Sequence, residues 1–546
     1  MQEKFKLTEK SNKMGLIRVY FYRYLLPLCG FNEYQLNEME IRFENEPNIN
    51  ASKFNSKLND NNLDYKFDIE SNEITIYFNE NITITISNIV FPSDNDDVLF
   101  TFKYGTNVFM ELMKINQAGI PQPLWYNDDK LKLSWELSNT RSIYYEKLYE
   151  MSIQKTICRF ISKNDEGMRN IEELLRVLET WSQKTYEGHK VCYGLLIDNV
   201  FPKKNQDTSL YNSNFLSFLD DEYSAVLSDG MSSLFKVDSQ CNFIDFVTVT
   251  ELYDNESIKE IGKIKDSFLP YRFFEIISYY VTGDLVGIFL LQSGDLVIAK
   301  NKEIRFIKRN GKWMNFSRFT FIETIKKKVP CISEKSDDLI KNIYATTIDV
   351  SLSHTGGIIA VINNKEKLYN DDILSEIDDL NSDKEISKLF FGEFEKKYNT
   401  LKENDLRLQS DKIDNLINHE NYSDDDKKEL DKLVDSIPEL YSLKKDITKR
   451  LTKRIFVKKI LKSSKFNEMD RKKRAELIGL DGACIIDLDG NIISFGAIIT
   501  NDAGSSGGGR GAAAKKLSNY DGFAIKISTD GYIEVFSELK KIYSIK

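Results

Sequence analysis

Two short segments near the C-terminus combine the residue types that hold phosphate groups. The first is the corner Asp481-Gly482-Ala483, and the second is the glycine-rich loop at 504–511, which contains Arg510 and leads into three alanines. Glycines let backbone N–H groups approach a phosphate closely, and a helix N-terminus favours negative charge. An arginine there can donate two parallel hydrogen bonds to phosphate oxygens. An aspartate at the corner can hold a metal ion or a sugar hydroxyl. Together the segments predict a nucleotide-binding site.

The same loop has two other interpretations. Gly504 and Gly509 have the separation found in the phosphate-binding loop of ATPases. However, Arg510 stands where that motif requires lysine, and Gly511 stands where it requires serine or threonine. We therefore set the ATPase motif aside. An ordinary surface turn remains the structural alternative for the loop, and a plain turn residue is the alternative for Asp481.

Hairpin signals surround both segments. The turn sequences Asp489-Gly490-Asn491 and Asp530-Gly531 each lie between apolar runs, as in β-hairpins. A short helix ending near Ser518 is predicted between the two hairpins, and another helix is predicted to begin at 339–344. Strands are predicted at 357–362, 484–488, 492–499, 523–527 and 532–536. In this arrangement the glycine-rich loop connects a hairpin to a helix.

The order and spacing of these residues resemble the diadenylate cyclase domain of the DNA-integrity-scanning and membrane-bound cyclic di-AMP synthases. The resemblance covers residues 336–546 and is interrupted by an insertion at about 370–450. It implies a mixed sheet flanked by helices. The positions that carry it are Gly356-Gly357-Ile358-Ile359-Ala360-Val361, Asp481-Gly482-Ala483, Gly509-Arg510, Ala513-Ala514, Leu517-Ser518, Asp521 and Ser528.

The resemblance also implies an activity and a set of site residues. Two ATP molecules, held face to face by two cyclase domains, would condense to cyclic di-AMP or a related cyclic dinucleotide with release of pyrophosphate. It implies a homo-oligomer, Mg²⁺ or Mn²⁺ as cofactor, Asp481 and Arg510 as catalytic residues, and Asp481 and Asp530 as metal ligands. The implied nucleotide-binding residues are Gly356, Gly357, Gly482, Ala483, Ser505, Ser506, Gly507, Gly508, Gly509 and Ser528.

The sequence departs from the family pattern at two places. The family has Arg-His-Arg before its two alanines, whereas this chain has Arg510-Gly511-Ala512. The acid that follows the family's serine is replaced by Thr529, and Asp530 comes one residue later. An altered substrate, a second catalytic solution and a protein that only binds nucleotide all remain open. His354, just before the glycine pair, is a candidate replacement for the missing histidine.

Composition excludes several classes of protein. The chain has 546 residues and a formal net charge of −9, so broad electrostatic binding of nucleic acid is not expected. No apolar run approaches the ~20 residues that span a membrane. The six cysteines form no C-x-x-C pair, which favours buried free thiols in a reducing cytoplasm. The three histidines are too dispersed in sequence to argue for a histidine metal cluster.

The remainder of the chain is predicted as an α/β sensor or regulatory region at 1–265 and a β-rich connector at 266–335. The connector contains two apparent hairpins, around Ser293-Gly294-Asp295 and Asn310-Gly311. In the sensor region a helix is expected at 170–185. Strands are expected there at 72–78, 82–86, 98–104, 190–196 and 243–248.

The insertion at about 370–450 is expected to be helical. Ser436-Ile437-Pro438-Glu439 has the capping-box form and predicts a helix running to about Leu461. Three functions stay open for the whole chain. It is a cyclase regulated by its N-terminal region, with stress or phage-defence signalling as its setting; a nucleotide-binding sensor without turnover; or an interaction protein that binds through the insertion.

Overall fold

The computed structural model has a mixed α/β architecture and divides into two compact units between Phe321 and Ile322. It describes residues 13–44, 64–68, 72–79, 82–89, 96–118, 133–163, 165–200, 215–219, 224–225, 227–248, 280–333, 336–371, 373–404, 411–417, 424–462, 464–480, 482–499 and 508–545. Asp481 and residues 500–507 lie outside these ranges.

The first unit begins with short helices, a four-stranded antiparallel sheet of order β1-β4-β3-β2 and three longer helices. Ile74, Ile76, Ile84 and Ile86 are fully or almost fully buried, so the apolar positions of the two middle strands face the core. The elements are α1 (Lys13–Tyr20), a π-helical turn (Phe21–Leu25), α2 (Leu26–Leu28), α3 (Glu33–Glu38), β1 (Glu40–Glu44), β2 (Asp64–Asp68), β3 (Glu73–Asn79), β4 (Ile82–Ser87), α4 (Asp96–Ala118), α5 (Leu133–Ile161), α6 (Asp165–Trp181) and α7 (Phe215–Leu219).

The strand predicted at 98–104 is wrong, because these residues lie in helix α4. Their β-branched and aromatic side chains suit a strand, but Val98, Thr101, Phe102 and Gly105 are buried whereas Phe100 is exposed. That spacing fits one face of a helix. Packing against neighbouring helices has therefore overridden local β propensity.

A seven-stranded mixed sheet follows, of order β13-β12-β11-β10-β7-β8-β9. Both predicted hairpins of the 266–335 segment are confirmed. The first strand of the first hairpin, Leu285–Leu290, pairs antiparallel with Tyr193–Asp198. The 266–335 segment therefore belongs to the same sheet as strands of the 1–265 region. The strands are β5 (Thr185–Tyr186), β6 (His189–Lys190), β7 (Tyr193–Asp198), β8 (Ser233–Asp238), β9 (Phe243–Thr248), β10 (Leu285–Leu290), β11 (Leu296–Lys300), β12 (Glu303–Arg309) and β13 (Lys312–Met314), with β5 and β6 forming a separate two-stranded ribbon.

The second unit is built on a six-stranded sheet of order β16-β15-β14-β17-β18-β19. Helix α8 (Arg318–Lys328) spans the division between the units. The remaining elements are α9 (Asp337–Leu352), β14 (Gly357–Ile362), α10 (Lys365–Asn370), α11 (Ile386–Asn404), α12 (Asp411–Ile417), α13 (Asp424–Asp435), α14 (Pro438–Leu461), a 3₁₀ turn (Phe466–Glu468), α15 (Arg471–Ile478), β15 (Ala483–Asp487), β16 (Ile492–Ala497), α16 (Gly508–Leu517), β17 (Phe523–Ile527), β18 (Ile533–Ser537) and β19 (Lys540–Ile545).

The neighbouring strands β14 and β15 are parallel, with Ile358 opposite Ala483. The other pairs for which a register is defined are antiparallel. Helix α16 covers one face, where Ala513, Ala514 and Leu517 pack with sheet residues in one buried cluster. The sequence predicted five of the six strands, and β19 is an addition.

The insertion is helical, as predicted, and has a core of its own drawn from residues 377–451. Helix α14 runs to Leu461 as expected, but the capping box does not form. The Ser436 hydroxyl donates to the Leu433 carbonyl, and the residue before the helix, Ile437, makes no side-chain cap. The start of α14 therefore depends on Pro438 at its first position, which is preorganised for a helix.

The insertion is attached to the edge of the six-stranded sheet. The Leu380 N–H donates to the Ile493 carbonyl of β16 at 2.8 Å, and the Asn381 side-chain amide donates to the Ile492 carbonyl at 3.2 Å. A loop thus covers part of the edge strand β16, which limits pairing with other chains.

The helices and the cysteines of the described chain bear on the expectations about membrane spans and free thiols. Among its described helices, none has the length and apolar character required to cross a membrane. All six cysteines are free, and four of them are buried: Cys29, Cys158, Cys241 and Cys484.

Candidate functional site

Six of the predicted site residues meet at one end of the six-stranded sheet. Because β14 and β15 are parallel, their N-terminal ends lie side by side, which brings the Gly356-Gly357 pair close to Gly482-Ala483. Strand β17 is antiparallel to β14, with Gly357 opposite Ile527, so Ser528 arrives at the same end. Arg510, in the first turn of α16, lies there as well.

The closest approach within this group is between Arg510 and Gly356. Gly356 has φ +71°, and a Cβ atom added to it would lie 2.6 Å from the Arg510 Nη1 atom. The same added atom would lie 3.2 Å from the Ile527 carbonyl oxygen and 3.2 Å from the Thr529 nitrogen. The guanidinium therefore approaches backbone that only a glycine leaves accessible.

Arg510 is partly buried, yet its guanidinium has no hydrogen bond or ion pair with any other described residue. A guanidinium carries five N–H donors in a rigid plane that matches carboxylate and phosphate oxygens. Since α16 contributes the positive end of its dipole at the same point, this end of the sheet attracts anions.

The other glycines at this end are required by close backbone packing. A Cβ atom on Gly357 would lie 2.7 Å from the Ile478 carbonyl oxygen at the end of α15. Gly482 has φ +110°, and a Cβ atom there would lie 2.4 Å from the Gly496 carbonyl carbon. Gly496 in turn accepts a hydrogen bond from Lys453 of α14. These contacts give Gly357 and Gly482 a packing role.

Ala483 and Ser528 are both engaged within the protein. The Ala483 methyl group is fully buried in the cluster beneath α16. The Ser528 hydroxyl accepts a hydrogen bond from the Tyr532 N–H at 3.0 Å, and its carbonyl accepts one from the Gly531 N–H at 2.9 Å. Ser528 therefore closes the β17–β18 turn, which agrees with the plain-turn alternative for this residue.

Asp530, an implied metal ligand, is exposed on that same turn. Within the described ranges, no three His, Cys, Asp or Glu side chains are grouped as a metal site would require. Of the two implied metal ligands, Asp530 is described and Asp481 lies outside the described residues.

Four site residues predicted from sequence, Asp481, Ser505, Ser506 and Gly507, lie outside the described residues. Gly508 and Gly509 form the first residues of α16. His354 is partly buried and lies two residues before Gly356, with φ +52°.

A charged network beside α16 was missed in the sequence. Lys526 of β17 lies next to Gly511, with its Nζ atom 3.7 Å from the position of an added Cβ. Glu534 of β18 accepts hydrogen bonds from Lys526 at 2.9 Å and from Lys541 of β19 at 2.6 Å. The sequence does contain an indication of this network, because Lys526 is the one charged residue in the apolar run Phe523–Ile527.

In this network two lysines hydrogen-bond to one carboxylate. Burial alone would raise the pKa of Glu534, but the hydrogen bonds and charges of Lys541 and Lys526 outweigh burial and lower that pKa to about 2. The carboxylate is thus ionised at neutral pH.

No protein-family model, no curated protein and no solved structure matches this chain.

Proposed function

We propose that this protein is a cytoplasmic nucleotidyltransferase similar to the diadenylate cyclases, which condenses two ATP molecules into cyclic di-AMP or a related cyclic dinucleotide. The observation that carries the proposal is the Arg510 guanidinium. It is held against Gly356 at the first turn of α16, without a partner among the described residues. An anion with two oxygens in one plane, such as a phosphate, complements that group.

The chemistry proposed has a simple balance of atoms. Each ATP 3′-hydroxyl oxygen forms a bond to the α-phosphorus of the other ATP. The bond between that phosphorus and the oxygen that links it to the β-phosphorus breaks, and this oxygen leaves with pyrophosphate. Each hydroxyl proton leaves to solvent, so two ATP give one cyclic dinucleotide, two pyrophosphates and two protons. Arg510 and the N–H groups at the start of α16 would stabilise the negative charge that develops on the phosphate oxygens.

Asp481 is assigned to orienting the attacking 3′-hydroxyl, as the resemblance implies. Mg²⁺ or Mn²⁺ brought in with the nucleotide would offset phosphate charge when bound. One domain supplies half of such a site, so activity requires two cyclase units face to face. The N-terminal region would regulate that encounter, with stress or phage-defence signalling as its setting.

The test is product formation by the purified full-length protein. It would be incubated with ATP, and separately with mixed nucleotides, in the presence of Mg²⁺ or Mn²⁺, and the products read by mass spectrometry. We expect a cyclic dinucleotide whose mass identifies the bases. Arg510→Ala and Asp481→Ala should each reduce its rate of formation by about 100-fold or more, the size typical of losing a charge-stabilising group.

Lys515→Ala is the matched control for Arg510→Ala, because Lys515 is an exposed cation on the same helix. It should leave product formation unchanged. Equal loss in both variants would indicate that general positive charge, and not the Arg510 position, matters. Absence of any product and of any ATP binding would exclude the proposal.

The second candidate is a nucleotide-binding sensor without turnover. It is favoured by Gly511 and Ala512, which stand where the family has histidine and arginine. ATP or cyclic dinucleotide binding that Arg510→Ala weakens, together with no product under any condition, would identify this function.

A further inference from the structure

The exposed face of α14 carries a row of aromatic, aliphatic and basic residues. This basic-aromatic stripe consists of Tyr441, Lys445, Lys449, Phe456, Lys459 and Ile460. Tyr441 is 51% exposed, Phe456 59% and Ile460 43%. Large apolar side chains this exposed, gathered on one face, are typical of interaction surfaces.

The orientation of α14 fixes which face is presented. The opposite side of the helix is buried and carries Leu440, Ile447, Arg450, Arg454 and Val457. Because these residues anchor the helix to the insertion core and to the loop at 376–382, the stripe must face outward.

The stripe is positively charged. Several other lysines of the insertion are neutralised, since Lys384, Lys397, Lys402 and Lys444 each pair with a carboxylate. Lys445, Lys449 and Lys459 make no ion pair with any described residue. The stripe also contains no acidic residue, in a chain whose formal net charge is −9.

The stripe is straight and long enough for a second helix. Tyr441 to Ile460 spans nineteen steps of ~1.5 Å, or about 28 Å along the axis. At its first half an open groove of about 400 Å³ is lined by Tyr441, Lys444, Lys445, Thr448, Lys449 and Thr452. Successive contacts at helical spacing, with apolar anchors at both ends, suit an amphipathic helix.

We infer that the basic-aromatic stripe of α14 docks an acidic amphipathic helix of a partner protein. Glutamates or aspartates of that helix would pair with Lys445, Lys449 and Lys459, while its apolar side chains cover Tyr441 and Phe456. A second copy of α14 does not complement the stripe, because lysines would face lysines. Nucleic acid is disfavoured, because three lysines offer few phosphate contacts and the whole chain is acidic.

The probe is a labelled synthetic helix of about 20 residues, the length that spans about 30 Å. Leucines form one face and glutamates flank it, and a second peptide has glutamine in place of every glutamate. Binding to the full-length protein is measured by fluorescence anisotropy at low and high salt. The glutamate peptide should bind saturably, more tightly than the glutamine peptide, and less tightly as salt screens the charges.

Two double variants locate the binding. Lys445→Glu with Lys449→Glu should weaken binding of the glutamate peptide by about tenfold or more. Lys388→Glu with Lys432→Glu changes the net charge equally at exposed positions outside the stripe and should leave affinity within about twofold. Tyr441→Ala with Phe456→Ala should also cost about tenfold, while Ile386→Ala, at an exposed apolar residue elsewhere, should not.

The inference is overturned if the two lysine variants weaken binding equally, if the glutamine peptide binds as well as the glutamate peptide, or if no saturable binding is seen. Tighter, stripe-dependent binding of an oligothymidylate of matching length would also overturn it and would assign the surface to single-stranded nucleic acid. Circular dichroism of each variant confirms that the helical content is retained.

Discussion

Two helices of the second unit use arginine in opposite ways. On α14, Arg450 donates to Asp378 at 2.6 Å and to Glu393 at 3.0 Å. One turn later, Arg454 donates to the carbonyl oxygens of Glu376, Ile377, Asp379 and Ser382. On α16, Arg510 has no such partner among the described residues.

The difference separates an arginine that holds the fold from one that is available to a ligand. Burial alone would lower the pKa of Arg450, but Asp378 and Glu393 outweigh burial and raise it. Because Arg450 joins both carboxylates from a buried position, it is part of the insertion's structure. Arg510 can be removed without leaving a described charge unpaired, so its contribution should appear in binding and not in folding.

The largest effect is expected at Arg450. Arg450→Ala leaves the buried Asp378 without the cation that it binds, which should lower the free energy of unfolding by about 3–5 kcal/mol. Arg510→Ala should change it by less than about 0.5 kcal/mol. Urea titration followed by circular dichroism measures both, with Lys449→Ala as an exposed control on the same helix. Similar destabilisation by Arg450→Ala and Arg510→Ala would remove the distinction between the two arginines.

An intermediate effect is expected at Glu534, where two lysines share one carboxylate beside α16. Glu534→Gln should destabilise the protein by about 1.5–3 kcal/mol at pH 7, as for other hydrogen bonds to charged groups. Glu476→Gln, which removes an exposed carboxylate 4.0 Å from Lys472, should have little effect.

The Glu534 effect should depend on pH in a defined direction. Its pKa falls from an ordinary value of 4.5 to about 2 in the folded protein. The stability that its ionised form contributes is therefore fully present above about pH 4.5 and is lost as the pH falls toward 2. The stability difference between the natural protein and Glu534→Gln should shrink over that window in unfolding titrations. A difference that stays constant with pH would show that the charge is not responsible.

A smaller effect on stability than at Arg450 or Glu534 is expected at Gly356. Gly356→Ala forces an alanine into the left-handed region at a cost of about 1 kcal/mol and pushes its Cβ against Arg510. Gly311→Ala carries similar backbone strain, at φ +78°, but its Cβ meets nothing within 4 Å. If Arg510 binds phosphate from its present position, only Gly356→Ala should weaken ATP binding, by several-fold in calorimetry. Equal ATP affinity in both variants would show that the Arg510 position is unimportant.

Local patterns predicted the elements of the second unit well. The turns at Asp489-Gly490 and Asp530-Gly531 and the apolar run at 357–362 are strands and hairpins in the structure, because each signal is complete within a few residues. The first unit was harder. At 98–104, aromatic and β-branched residues favoured a strand, whereas the side-chain contacts that make α4 a helix come from distant segments.

The candidate site was predictable as a set of residues but not as a geometry. The meeting of Arg510 with Gly356 depends on how α16 packs across β14 and β17, which no local pattern encodes. For the same reason the sequence did not reveal that Lys526 lies beside Gly511. The sequence also did not distinguish Gly357 and Gly482, which close backbone packing requires, from Gly356, which leaves room for the Arg510 side chain.

The parallel pairing of β14 with β15 has a consequence for how the chain folds during synthesis. The two strands are neighbours in the sheet, yet the whole insertion separates them in the sequence. The insertion core is complete within residues 377–451, so it can assemble from local contacts before β15 has left the ribosome. Arg454 then ties the end of α14 to the loop at 376–382 and brings the two ends of the insertion together. We expect these Arg454 hydrogen bonds to shorten the effective loop between β14 and β15. Prior folding of the insertion would then lower the entropy cost of pairing the two strands.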